Sequence, residues 1–126
     1  MAKWPKCWGT NVEIFRNDSV SVNLLQLLKG GVCSRHYHKH KHNTFYLISG
    51  KVEIKTEDGN TIMFPGETVF VAALVKHQFE ALENSKMLEI MFVEYNPDDI
   101  IRLSKGFLRG VDESNLIRDI ERRLQR

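Results

Sequence analysis

Turn signals break this 126-residue chain at short, regular intervals, and that punctuation constrains its fold more than any other feature. Asn17-Asp18, Gly30-Gly31, Ser49-Gly50, Asp58-Gly59, Pro65-Gly66 and Glu83-Asn84-Ser85-Lys86 all combine residues that favour turns. The pieces between them, set roughly eight to twelve residues apart, are rich in β-branched and aromatic residues. Strands are expected around Val12 and Ile14, then from Ser19 to Leu28, Val32 to His38 and Thr44 to Ile48. Further strands follow over Val52 to Lys55, Thr61 to Phe64, Thr68 to Leu74, His77 to Leu82 and Met87 to Tyr95. Trp4-Pro5 and Trp8-Gly9 read as a loop or arm packed on the domain. The Ser19–Leu28 stretch alternates through Val20, Val22 and Leu24, then slips phase to Leu25, Leu27 and Leu28, which suggests a bulge or burial on both faces. Many short punctuated strands argue for an all-β sandwich or barrel.

The C-terminus differs in kind. Asn96-Pro97-Asp98-Asp99 breaks the last strand. Asp112 then offers a cap, and Leu116, Ile117, Ile120 and Leu124 recur at helical spacing, so a short helix is expected over 112–125. Asp119 and Arg123 add an i,i+4 pair. The length fits one domain, 1–126: an arm and first strand over 1–18, a barrel core over 19–95, and a C-terminal extension over 96–126.

Composition narrows the function classes. Net charge is +2 and the basic residues are spread along the chain with no accompanying motif, which speaks against nucleic-acid binding. No apolar run is long enough to span a membrane, and Met1-Ala2-Lys3-Trp4-Pro5-Lys6 lacks an apolar leader core, so the expected location is cytoplasmic. Cys7 and Cys33 form no disulfide framework and no C-x-x-C pair, and both are expected as free thiols.

Chemistry concentrates in His36-Tyr37-His38-Lys39-His40-Lys41-His42-Asn43, which holds four of the five histidines. Imidazole is a common ligand for transition metals. In a strand His36, His38, His40 and His42 share one parity, with neighbours about 6.6–6.8 Å apart, so two successive ones can pinch one ion but four cannot. His36 and His38 end an expected strand and are the better-placed pair. His40 and His42 lie among lysines, where a turn is expected, as a rim or a weaker second site. The fifth histidine, His77, lies where folding can bring it back.

The spacing is specific. Gly30, five residues, His36, one residue, His38, four residues, Asn43, six residues, Gly50 resembles the first motif of the cupin family, with Asn43 where that family has glutamate. Gly59, five residues and Pro65, followed by Gly66 and later His77, resembles the second motif, whose closing asparagine is replaced by Ala81. The resemblance implies a jelly-roll β-barrel with one divalent transition metal, Zn, Mn, Fe, Ni or Co, on His36, His38 and His77, with Asn43 as a weaker ligand. Met87 to Glu94, followed by Asp98-Asp99-Ile100-Ile101-Arg102-Leu103, looks like the close of the type II phosphomannose isomerase domain; Trp8-Gly9 and Ser34 also resemble it. That implies a sugar-phosphate isomerase-like activity of the mannose-6-phosphate/fructose-6-phosphate type, with the metal as Lewis acid. Glu80, Glu89 and Lys76 are then the catalytic candidates, and Arg35 and Arg102 the phosphate contacts. A non-catalytic metal and carbohydrate binding module and an iron-dependent dioxygenase are the alternatives. The resemblance also suggests a homodimer.

Overall fold

The computed structural model describes residues 3–92 and 99–111. Among these residues thirteen strands form two antiparallel sheets. The first sheet runs β1 (Lys3–Lys6), β2 (Gly9–Arg16), β3 (Val20–Leu27), β11 (Ser85–Phe92), β6 (His42–Ser49) and β9 (Thr68–Val71). The second is centred on β10 (His77–Ala81). One side of β10 pairs with β7 (Val52–Thr56), which forms a hairpin with β8 (Gly59–Met63). Along its other side lie two short pieces in line, β4 (Gly31–Val32) and β5 (His36–Tyr37), each backed by an outer strand, β13 (Phe107–Leu108) and β12 (Ile101–Arg102).

Inward side chains of both sheets make the core: Leu25, Leu27, Phe45, Leu47, Ile54, Met63, Phe79 and Met87 are all buried. Two of the positive-φ glycines shape the turns around the site. Gly30 (+85°) turns the chain into β4, and Gly50 (+91°) closes the β6–β7 hairpin, where a Cβ would stand 2.1 Å from the Ser85 hydroxyl. A side chain at position 50 has neither the backbone conformation nor the space it needs.

Several expectations change. β3 carries no phase slip: it alternates strictly, with Ser21, Asn23, Leu25 and Leu27 all inward. What changes along it is the chemistry of the inward face, polar at one end and apolar at the other. Trp4-Pro5 belongs to strand β1, where Pro5 is tolerated because β1 is an edge. The all-β reading of the fold holds, and its C-terminal helix is the part corrected: among the described residues there is no helix. The chain after residue 98 instead supplies β12 and β13, because the outer edges of β4 and β5 leave backbone groups that need partners. The helix expected over 112–125 lies outside the described residues. No described helix is long and apolar enough to cross a membrane.

Candidate metal centre and cavity

Register brings the distant histidine back. His77, first residue of β10, pairs directly with His36 in β5. His38 follows just past the end of β5. The three rings lie with centroids 4.4 Å (His36–His77), 5.0 Å (His36–His38) and 5.5 Å (His38–His77) apart, and one ligating nitrogen from each falls within 4.8 Å of the others. Their exposures are 8%, 6% and 3% for His36, His38 and His77.

The backbone fixes how these rings are protonated. Nδ1 of His36 meets the Ser34 carbonyl at 2.7 Å, Nδ1 of His38 the Asp99 carbonyl at 2.5 Å, and Nδ1 of His77 the Val75 carbonyl at 3.0 Å. A carbonyl only accepts, so each Nδ1 carries the proton and donates it. Each Nε2 keeps its lone pair. Nε2 of His38 and of His77 is buried with no hydrogen-bond partner. Burial pushes the His36 imidazolium down to about 3, with His77 and His38 adding to it. Burial likewise takes His38 down to about 4 and lowers His77. Three neutral imidazoles with converging, proton-free nitrogens are the donor set a divalent transition metal takes, so the residues present fit the ion.

The loop that carries His38 is pinned from outside. The Asp99 carboxylate accepts the backbone N–H of Lys39 (2.7 Å) and of His40 (2.9 Å). Burial works to raise the Asp99 carboxyl, but those two bonds outweigh it and hold it below its ordinary range. Asp99 therefore fixes His38 twice, through its own carbonyl and through the loop. This role is not visible in the sequence, because it depends on chain pairing 60 residues away in sequence.

A cavity of about 640 Å³ opens in front of His36 and His38. Its lining includes Trp4, Asn11, Asn23, Glu89 and Met91 from the first sheet. Among the described lining residues Glu89 is the only carboxylate, against the cations Lys6, Lys41, Arg102 and Lys105. Glu89 faces inward from β11, paired in register with Asn23, which hydrogen-bonds its carboxylate. Burial raises the Glu89 carboxyl, opposed by the nearby charge of Lys41 and by Asn23. Lys41 is itself buried, which lowers its ammonium, while Glu89 and Asp99 support the charged form.

The other residues singled out in the sequence lie in varied places. Asn43 is 1% exposed on the inward face of β6; its Nδ2 donates to Glu89 Oε2 at 3.4 Å, and its Oδ1 has no partner. His40 is exposed. His42 stacks at 5.5 Å on Phe70, lies 5.5 Å from Phe92, and accepts the Ala73 N–H at Nδ1, away from the three-histidine cluster. Glu80 points from β10 to the opposite face, where Arg109 (3.0 Å) and Lys55 (3.0 Å) bind it. The Arg109 guanidinium, and then Lys55, hold its carboxyl below the usual range. Arg102 lines the cavity, paired with His36 through the backbone. Arg35 is exposed and Lys76 donates its backbone N–H to Glu57; neither lines the cavity. Cys7 and Cys33 are not joined, and burial pushes the Cys33 thiol well up.

Comparison with known proteins agrees with this geometry. Residues 23–94 match the family of the cupin domain. No curated protein matches the sequence significantly. Among solved structures, KdgF from a Halomonas species superposes with a TM-score of 0.66 at 18% identity, over 71% of this chain and 82% of that one. A Streptomyces Pac13 variant with uridine gives 0.72 at 12%, over 82% and 84%; Pac13 is a nucleoside dehydratase. An oxalate decarboxylase from Bacillus subtilis gives 0.68 at 18%, over 81% of this chain and 30% of that one. At these identities the likeness is one of fold.

Proposed function

The chain belongs to the cupin family, and from that premise we propose that it is a metal-dependent enzyme that moves a proton on a small anionic substrate, as in a sugar-phosphate isomerase. The observation that carries this reading is the composition of the cavity: one carboxylate, Glu89, shares it with His36, His38 and four cations. A divalent ion held by His36, His38 and His77, with Asn43, would supply Lewis acidity to substrate oxygens. Arg102 and Lys6 neutralise the phosphate or carboxylate of the ligand. Glu89 takes the proton from carbon, its carboxyl raised by burial toward the range a general base needs at neutral pH. Asn23 holds that carboxylate in place. Trp4, on the rim, offers an aromatic face to a sugar ring.

The test is direct. Untagged protein is loaded with Mn²⁺, Zn²⁺, Co²⁺, Ni²⁺ or Fe²⁺ and incubated with a panel of sugar phosphates, beginning with mannose 6-phosphate, while fructose 6-phosphate is assayed. Turnover lost in Glu89→Gln and in His77→Ala is the expected result. Metal binding without turnover on any member favours the second reading, a non-catalytic binding module. Asn43 supports that alternative, since a neutral amide stands where a carboxylate would otherwise raise metal affinity. Consumption of O₂ by the Fe²⁺ form would instead indicate a dioxygenase. A homodimer is part of the proposal, and sedimentation at roughly twice the 14.7 kDa chain mass is expected.

A further inference from the structure

Asn43 and Glu89 raise a question that the three histidines leave open. The inward face of β6 carries Asn43, Phe45 and Leu47, and the Phe45 ring stands 6.2 Å from that of His77. Asn43 is thus one step along the same face from a residue that packs on the metal triad. Its side chain is buried, yet only its nitrogen end is engaged: Nδ2 donates to Glu89 Oε2, and Oδ1 has no partner. A buried amide oxygen left without a donor is unfavourable, so it persists where something else satisfies it. A carboxylate can only accept, so Glu89 fixes which way the amide points: nitrogen toward Glu89, oxygen away from it.

We propose that Glu89 is a positioning residue for the metal centre, holding Asn43 so that Oδ1 is the fourth protein ligand and returning through that amide the negative charge that the chain lacks at position 43. In effect the carboxylate has moved one strand over, from β6 to β11. A charged acceptor on the amide nitrogen makes the amide oxygen more electron-rich and a better ligand, as outer partners of ligating groups generally do. The inference rests on the metal site proposed above, but it does not need the chain to be an isomerase.

The experiment is a double-mutant cycle read by metal affinity. Dissociation constants for Co²⁺ and Zn²⁺ are measured by chelator competition in wild type, Glu89→Gln, Asn43→Ala and the double variant, with folding checked by circular dichroism. Glu89→Gln should weaken binding about 10- to 100-fold in the wild-type background and by less than about 2-fold once Asn43 is alanine. An equal effect in both backgrounds, or none in either, overturns the proposal. Should Asn43→Ala fail to fold, the visible spectrum of the Co²⁺ form decides: Glu89→Gln shifts the d–d bands if an oxygen donor is lost, and an unchanged spectrum overturns the proposal. Loss of turnover in Glu89→Gln with unchanged metal affinity leaves the enzymatic reading standing and removes this one. A wild type that binds no divalent metal removes both.

Discussion

The two ends of the barrel are built from the same strands and do opposite things. Toward the hairpin end β3 turns Leu25 and Leu27 inward, β6 Phe45 and Leu47, and β10 Phe79 and Ala81. Toward the mouth the same inward faces carry Ser21 and Asn23, Asn43, and His77. Neither the period nor the face changes; only the chemistry does. The apolar end removes surface from water and holds the sheets together. The polar end holds groups whose burial is unfavourable unless something binds them.

Four comparisons, made with five substitutions, sharpen or break this division, taken from the largest expected effect. Phe45→Ala at the apolar end should cost about 3–5 kcal/mol of stability by urea unfolding, since Phe45 is 1% exposed and packs on Phe79. Because the Phe45 ring also lies 6.2 Å from that of His77, protein that remains folded should show a small loss of metal affinity, well below the loss in His77→Ala. His77→Ala should do the reverse, lowering metal affinity at least about 100-fold by chelator competition while the metal-free chain unfolds at a midpoint near that of wild type, because it removes a buried polar group with an unpaired nitrogen. A metal-free chain destabilised as much as Phe45→Ala would show that the mouth is load-carrying core as well.

The third comparison uses pH. His36 and His38 have folded values near 3 and 4, below the ordinary 6.5. Between those values and 6.5 the unfolded chain binds more protons than the folded one, so stability rises with pH across that window and falls as acid is added. The metal-free protein should therefore lose stability from pH 6.5 down to about 4, seen as a falling urea midpoint, and His36→Gln should flatten the slope. An unchanged slope would mean that the rings are already open to solvent. The smallest pair concerns turns. Gly50→Ala meets both positive φ and the Ser85 hydroxyl at 2.1 Å, whereas Gly66→Ala (φ +90°) meets nothing within 4 Å. Gly66→Ala should cost about 1 kcal/mol from backbone strain alone and Gly50→Ala clearly more, by thermal melts. Equal losses would show that the Gly50 turn can shift to make room.

The strand pattern was legible because it is local: alternation and turn residues are written in neighbouring positions. The pairing of His36 and His38 with His77 was legible through spacing that resembles a known family. Other parts depend on pairing that composition does not encode. The apparent phase slip in β3 was the mouth itself, visible as a change from Asn23 to Leu25 on one face but open to being read as a bulge. Glu89 and Glu80 are equally plausible as bases in sequence; register alone turns one into the cavity and the other out to Arg109. Asp99 carries no signal of its role, because its partners at Lys39 and His40 are reached only after the chain has folded back past β11. Strands β12 and β13, each two residues long, have no periodicity to detect.

Part of the cavity wall comes from segments near both ends of the sequence, Trp4 and Lys6 on one side and Arg102, Ser104 and Lys105 on another. The histidine cluster, in contrast, sits on β5, the residue just past it, and β10, in the interior of the second sheet. Under the function proposed above, the groups that would hold the ion and several of those that would meet a substrate thus lie in separate stretches of the chain. Replacement of Trp4, Lys6, Arg102, Ser104 or Lys105 would then redirect which molecule is admitted while leaving the histidine cluster and the packing beneath it intact.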